Sequence, residues 1–332
     1  MSAVFAGVDV GGTNTKVLIA TPSLEVIDRV DLPTPAHAGG AAIVAAALGA
    51  VTDLLDRHRA SLAGVGVGAA GVVDPATGTV LVTGNSFTGW AGYGVTNAVS
   101  AALGVPATLD NDVNAFLLGE IAAGAVVGER DVLGMTLGTG VGGALVLDGS
   151  LFGGPRGAAG EIGHVPGFGD ELCTCGQHGH LETIAAARGM ASRYEARTGQ
   201  HLPVHAIADA ARAGDVDARA VFDDAGWGIA RGILLTAGIL DVTTVVIGGG
   251  VARSWDLLAP AISAAIAAEP PVSGATIRVE QSTLGSDAVA LGAAAQVRAL
   301  VRDAELAEGP RRPSSGAESR TPIGGGVRRP RE

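Results

Sequence analysis

The chain has 332 residues, enough for two medium-sized domains that bury a substantial core. Its net charge of −11 argues against non-specific binding to nucleic acid or to anionic membranes. No apolar run reaches the ~18–20 residues of a membrane span, the first residues lack the basic segment of a signal peptide, and two cysteines cannot form a disulfide framework. We therefore expect a cytoplasmic protein with no membrane or nucleic-acid partner.

Strands and helices alternate along the chain. Apolar patterns predict strands at 4–10, 15–20, 25–32, 62–71, 106–110, within a hairpin at 131–149, and at 243–250. They predict helices at 40–59, 94–103, 111–124, through most of 181–240, and at 255–268 and 287–303. Residues 304–332 are rich in Pro, Gly, Ser and Arg, which predicts a disordered tail.

One segment repeats. A shift of 127 residues places VDVGGTNTKVLIA (8–20) over MTLGTGVGGALVL (135–147), with Gly11 on Gly138. Each segment reads as a strand, a Gly/Thr turn and a second strand. Two equivalent hairpins predict a duplicated fold with a cleft between its halves; a chance likeness of glycine-rich hairpins is the alternative.

The two turns have the chemistry of a phosphate site. Glycines allow backbone N–H groups to approach an anion closely, and threonine hydroxyls add donors. Asp9, before the first turn, can organise Mg²⁺ through water. Lys16 is the single lysine of the chain, so either a compact ammonium is needed there or one lysine has survived a codon bias.

A dinucleotide-binding enzyme is a weaker interpretation. The segments GVGAAG (66–71) and GTGVGG (138–143) match G-x-G-x-x-G. The second precedes a strand, however, and neither is followed about 20 residues later by an acidic residue that ends a second βαβ strand. Chance matches are expected among 52 glycines.

Four polar residues follow one another where a predicted strand meets a helix: Asp110, Asn111, Asp112 and Asn114. Helix capping accounts for one or two of them. The surplus suits a substrate that carries hydroxyl groups, and one carboxylate can take the proton of an attacking hydroxyl. Phosphoryl transfer asks little of such a base, because its transition state is loose.

The stretch EIGHVPGFGDELCTCGQHGHLE (161–182) contains both cysteines of the chain. A tetrahedral, structural zinc site is predicted from four residues within 17 positions: His164, Cys173, Cys175 and His180. His178 can replace His180 as the fourth ligand, and a redox pair of cysteines is the alternative to zinc. Glu161 and Glu182 bracket the stretch, where they can accept hydrogen bonds from sugar hydroxyls.

These motifs resemble those of the ROK family (repressors, open reading frames and kinases) across about residues 4–303. DVGGTNTK (9–16) resembles the family's first phosphate motif, LGTGVGGALV (137–146) its second, and VVIGGGVA (245–252) its adenosine motif. EIGH followed by CTCGQHGHLE resembles the family signature, whose third cysteine is replaced here by His180. Histidine is a competent zinc ligand, so we expect the site to persist.

The resemblance implies an α/β fold of the actin/hexokinase-like (ribonuclease H-like) type, with a duplicated mixed sheet flanked by helices and an interdomain cleft. The expected domains are 1–110 with 287–303, and 111–286. A homodimer is the family expectation.

The resemblance also assigns residues by position. It makes Asp112 the catalytic base. The implied sugar contacts are Asn85, Asn111, Asp112, Glu161, His164 and Glu182. The implied nucleotide contacts are Asp9, Gly11, Gly12, Thr13, Asn14, Lys16, Gly138, Thr139, Gly140, Gly249 and Gly250.

The implied function is an ATP- and Mg²⁺-dependent hexose kinase, with glucose as first acceptor and glucose 6-phosphate as product. Only eight residues precede Asp9, which leaves no room for the DNA-binding motif of the family's repressors. GNSFTGW (84–90) departs from the usual family pattern near the sugar. The alternatives are therefore another hexose, N-acetylmannosamine or a cyclitol as acceptor, or a sugar-sensing protein without activity.

Overall fold

The computed structural model describes residues 3–84 and 86–308. Its longer strands form two sheets. The strands are β1 (Ala3–Val10), β2 (Asn14–Ala20), β3 (Val26–Pro33), β4 (Ser61–Ala69), β5 (Val72–Asp74), β6 (Thr79–Val82), β7 (Ala107–Asn111), β8 (Val132–Leu137), β9 (Val141–Leu147), β10 (Ser150–Leu151), β11 (Thr244–Gly248) and β12 (Arg278–Gln281). The helices are α1 (Gly40–His58), α2 (Val95–Leu103), α3 (Asp112–Ala123), α4 (Glu182–Ala185), α5 (Ala187–Thr198), α6 (Val204–Arg212), α7 (Val216–Leu240), α8 (Trp255–Ala268) and α9 (Ala288–Glu308).

The two large sheets have the same topology. The first has the order β3-β2-β1-β4-β7 and the second β10-β9-β8-β11-β12. In the first sheet, the central strand β1 pairs antiparallel with β2 and parallel with β4. In the second sheet, the central strand β8 pairs antiparallel with β9 and parallel with β11 in the same way. The duplication predicted from the two hairpins is therefore confirmed, because a chance likeness would not extend to the order of five strands.

Helices α3 and α9 pack against each other between the sheets; α9 also covers β1 and β4, and α3 contacts β8 and β9. This packing depends on small residues. A Cβ on Gly66 would lie 1.8 Å from the carbonyl oxygen of Ala293, and a Cβ on Gly292 would lie 1.7 Å from that of Ala115. The position of α9 supports placing 287–303 with the first sheet, and the domain division itself stays a prediction.

The structure differs from the predicted elements in several places, including the unpredicted two-residue strand β10. The hairpin of β5 and β6 was missed because its strands have only three and four residues, and β12 was missed for the same reason. Helix α9 extends to Glu308, so the prediction that disorder begins at Ala304 was wrong. Residues 304–308 read AELAE, and all of these residue types are good helix formers. The rest of the predicted tail, 309–332, lies outside the described residues.

Within the described residues, no helix combines the length and the apolarity that a membrane crossing requires.

Candidate active site

The site begins where β7 ends and α3 starts. Asn111 caps α3: its Oδ1 accepts hydrogen bonds from the N–H groups of Val113 (2.8 Å) and Asn114 (3.3 Å), and its Nδ2 donates to the carbonyl of Gly71 (2.9 Å). Asp110 is buried and accepts hydrogen bonds from side chains of Asn114 and α9. Three of the four polar residues thus have structural partners, which is more than the one or two expected from capping.

Asp112 remains as the candidate base. It is the first residue of α3, and its Oδ1 accepts a hydrogen bond from the Val113 N–H (3.0 Å). Burial is the main cause of a raised pKa at Asp112; the Val113 N–H opposes the rise, and the negative charge of Glu161 adds to it. A carboxyl with a raised pKa is a recurring feature of catalytic sites.

A second carboxyl shares this environment. Asp9 lies near the end of β1, directly opposite Lys16 on β2. Burial and the charge of Asp112 raise the pKa of Asp9 to about 7, and the charge of Lys16 partly offsets the rise. The structure therefore brings Asp9 and Asp112 within electrostatic reach of each other, although they are 103 positions apart in the sequence.

This environment predicts a pH-dependent effect of Asp9→Asn on stability. Folding raises the pKa of Asp9 from 3.8 to about 7, so between these values the folded state binds more protons and stability falls as pH rises. We expect the free energy of unfolding of Asp9→Asn, relative to wild type, to rise across this window by up to about 1.4 kcal/mol per pH unit. Urea unfolding without ligands at pH 5, 6, 7 and 8 measures it. Asp53→Asn, at an exposed position, is the control for the substitution itself, and a flat Asp9→Asn profile would contradict the raised pKa of Asp9.

Lys16 lies in an ion-pair cluster. Its Nζ is 3.0 Å from Asp31 Oδ1 and 3.3 Å from Asp287 Oδ1, and Arg29 also contacts Asp287. The Lys16 side chain is only 10% exposed. The ammonium thus joins β2, β3 and the segment before α9, a structural role that the sequence did not reveal; its nucleotide contact stays a prediction.

The first glycine turn, 11–14, closes on itself, since the Gly11 N–H donates to the Asn14 carbonyl (3.1 Å). Gly12, Thr13 and Asn14 are exposed in this turn. Their exposure leaves N–H and hydroxyl groups available to a ligand.

The second turn lies between β8 and β9. The Gly138 N–H donates to the Gly140 carbonyl (2.9 Å), and the Gly138 carbonyl accepts from the Ala187 N–H at the start of α5 (2.9 Å). Thr139 lies between these two glycines. The second turn is therefore anchored to α5.

A third glycine turn follows β11. Gly249 has a φ of +94°, and a Cβ there would lie 2.4 Å from the carbonyl oxygen of Leu137, at the end of β8. Glycine is thus required on both counts. Beside this turn is a cavity of about 290 Å³, which we call the glycine cavity; its lining includes Gly249, Gly250, Arg253, Ser282 and Ser286.

The predicted metal ligands lie together. Ligand atoms of His164, Cys173, Cys175 and His180 all lie within 4.8 Å of one another. The two histidine Nδ1 atoms are 3.3 Å apart, Cys173 Sγ is 3.7 Å from His164 Nδ1, and Cys175 Sγ is 3.3 Å from His180 Nδ1. A tetrahedral zinc with ordinary bond lengths has N–N and N–S edges of about 3.4 and 3.6 Å, so the four residues fit this ion.

His178, the alternative ligand, does not join this cluster. Its Nδ1 lies 2.8 Å from the carbonyl oxygen of Asp170. The geometry favours His180, which is buried, over His178 as the fourth ligand, and zinc binding itself stays a prediction.

The two bracketing glutamates have different surroundings. Glu161 lines a cleft of about 420 Å³ with Asn111, Arg156 and residues of the β5–β6 hairpin. The Glu182 carboxylate instead accepts hydrogen bonds from Thr174 Oγ1 (2.7 Å) and the Val141 N–H (3.1 Å). Glu182 therefore ties the cysteine loop to the second glycine turn, and its sugar contact stays a prediction.

The cleft also contains Arg156 and the β5–β6 hairpin, neither of which was predicted from the sequence as part of the site. The hairpin had a usable signal, because the turn residues DPATG (74–78) separate two short apolar runs. Asn85, a predicted sugar contact, lies outside the described residues.

Comparison with known proteins decides the family. The family model described as ROK family matches residues 5–300. The chain belongs to the ROK family. A glucokinase of Halalkalibacterium halodurans is 34% identical over 87% of this chain and 93% of its own. An N-acetylmannosamine kinase of Yersinia pestis is 30% identical over 87% of this chain and 97% of its own.

Two solved structures extend the comparison. A ROK hexokinase from Thermus thermophilus superposes with a TM-score of 0.78 at 28% identity, covering 90% of this chain and 99% of its own. A ROK family glucokinase from Streptomyces griseus, in complex with glucose and AMPPNP, gives 0.75 at 28% identity with the same coverage. The predicted family, the actin/hexokinase-like fold class and the enzyme class, a sugar kinase, are confirmed.

Proposed function

We propose that this ROK protein is an ATP-dependent hexose kinase that phosphorylates a primary hydroxyl, with glucose as the preferred acceptor. The observation that carries the proposal is the position of Asp112, at the start of α3 and within the electrostatic reach of both Asp9 and Glu161. The Streptomyces griseus complex contains glucose and a nucleotide analogue, which supports the same two substrates here.

In the proposed reaction, the Asp112 carboxylate accepts the proton of the sugar hydroxyl as its oxygen attacks the γ-phosphorus. The bond from that phosphorus to the bridging oxygen breaks, and ADP leaves. A raised pKa moves this base towards the working pH, where general-base catalysis is most effective. The Val113 N–H orients the carboxylate before the sugar arrives.

The glycine turns are the proposed nucleotide site. The exposed groups of 11–14 and the turn at 138–140 would hold the phosphates, and the glycine cavity would hold the adenosine. We propose that Asp9 orients the water shell of Mg²⁺, which neutralises charge on the transferred phosphoryl group when bound.

We propose that zinc occupies the cluster of His164, Cys173, Cys175 and His180. With four protein ligands the site would be structural. The residues themselves then fix the loop that carries Thr174, the hydrogen-bond donor to Glu182. Nδ1 of His164 faces the cluster, so Nε2 is the ring atom that we propose for the sugar.

The choice of acceptor is open to direct test. Glucose, mannose, fructose, allose, N-acetylmannosamine and a cyclitol, each with ATP and Mg²⁺, can be compared by coupled ADP release. We expect kcat/KM to be highest for glucose. A higher value for N-acetylmannosamine would overturn the acceptor, and hexose binding without ADP release would overturn the kinase in favour of a sensor. Homodimerisation and a cytoplasmic location stay predictions.

A further inference from the structure

Helix α3 carries a second carboxylate that the proposed reaction does not use. Glu120 is fully buried. Its oxygens accept hydrogen bonds from Ser282 Oγ (2.5 Å) and from the N–H groups of Ala125 (2.8 Å), Leu284 (3.2 Å) and Thr283 (3.4 Å). Within the described residues none of the ion pairs includes Glu120. The carboxylate is thus held by neutral donors, three of them from one segment far away in the sequence.

That segment forms one side of the glycine cavity. Ser282, Gly285 and Ser286 line the cavity across from the turn at 249–250. The Ser282 N–H also donates to the carbonyl of Ile247 in β11 (2.9 Å). The segment has no helix or strand of its own before Gly285, so its position depends on these hydrogen bonds.

Helix α3 connects the proposed catalytic base with the carboxylate that holds the 282–284 segment. Asp112 is its first residue and Glu120 lies two turns further along. Because a helix of this length is stiff, a group fixed to Glu120 is also fixed relative to Asp112. A carboxylate offers acceptors on both oxygens, and here each oxygen receives two donors. An amide in its place would turn an NH₂ group towards two donors.

We propose that Glu120 is a positioning residue that sets the 282–286 wall of the glycine cavity relative to Asp112, so that bound nucleotide and catalytic base are in register. This inference rests on the proposed function, because it takes the glycine cavity as the nucleotide site. Glu120 contacts neither substrate; it acts through the segment that it binds.

The test is Glu120→Gln, with nucleotide affinity and the two Michaelis constants as separate readouts. We expect the Kd of AMPPNP by calorimetry, and KM for ATP, to rise about tenfold, the effect of losing a buried hydrogen-bond set. KM for the hexose should change less than about twofold, a split that a general loss of stability would not produce. Circular dichroism and a melting curve establish that the variant is folded.

Two variants complete the design. Ser282→Ala removes a single donor and is expected to raise the AMPPNP Kd about threefold; it also tests the inference if Glu120→Gln does not fold. Glu129→Gln, at a half-exposed glutamate paired with Arg278, is the matched control and should leave the Kd unchanged. Unchanged nucleotide affinity in both folded Glu120→Gln and Ser282→Ala would overturn the positioning role. Failure of the wild-type protein to release ADP with any hexose would instead contradict the proposed function.

Discussion

Asp112→Asn is expected to lower kcat for hexose phosphorylation by about 10²–10⁴-fold, the usual contribution of a positioned general base. Asparagine keeps the size and the hydrogen bond of the side chain at the start of α3 but cannot take a proton. The partly exposed carboxyl has a pKa that is raised mainly by desolvation, so removing its charge relieves a desolvation cost. Stability should therefore not decrease, and the loss should appear in kcat.

The measurement is a steady-state ADP-release assay with ATP and glucose, together with calorimetric Kd values for both substrates. Asp53→Asn, at an exposed position of α1, is the matched control and should retain wild-type kcat. If Asp112→Asn retained more than about a tenth of wild-type kcat, the loss would be too small for removal of a general base. That result would show that another group accepts the proton.

His180→Ala is expected to weaken zinc binding strongly. The variant retains three ligands of the cluster, and water can fill the fourth position. Metal content measured by mass spectrometry should fall well below the one zinc per chain expected of the wild type, because a site with one protein ligand fewer holds the ion less tightly. Loss of the ion should lower the melting temperature on the order of 10 °C, since metal binding is coupled to the folding of the loop.

His178→Ala is the matched control. This histidine lies two residues before His180 but contacts the Asp170 carbonyl and not the cluster. The control should retain its zinc, and its melting temperature should stay close to that of the wild type. Loss of zinc in His178→Ala together with retention of zinc in His180→Ala would make His178, and not His180, the fourth ligand. Wild-type protein that contains no zinc after purification in zinc-containing buffer would contradict the zinc site altogether.

Much of the fold was predictable because its signals are local. The two hairpins carry their own strand and turn patterns, and their likeness survives a shift of 127 residues, so the duplication of the sheet could be inferred. The four candidate metal ligands lie within 17 positions, so a single loop can bring them together. His180 and His178 could not be separated, because both spacings allow ligation and the choice depends on how the loop folds.

Other features depend on contacts between distant parts of the chain. Glu120 and Ser282 are 162 positions apart. Asp287, which pairs with Lys16, lies just before α9, and no local sequence pattern connects that segment with β2. Asn111 was predicted from chemistry shared by caps and sugar ligands, and its hydrogen bond to the Gly71 carbonyl joins it to a residue 40 positions earlier. Such contacts follow from packing, which the sequence pattern does not encode residue by residue.

The geometry at Asp112 is the most direct test of the proposed function. A crystal structure with AMPPNP, Mg²⁺ and glucose would give the distance between the Asp112 carboxylate and the acceptor hydroxyl. We predict about 2.6–3.2 Å, the reach of a general base, with the hydroxyl facing the γ-phosphorus. A closed complex in which the Asp112 side chain turns away from that hydroxyl would contradict the account.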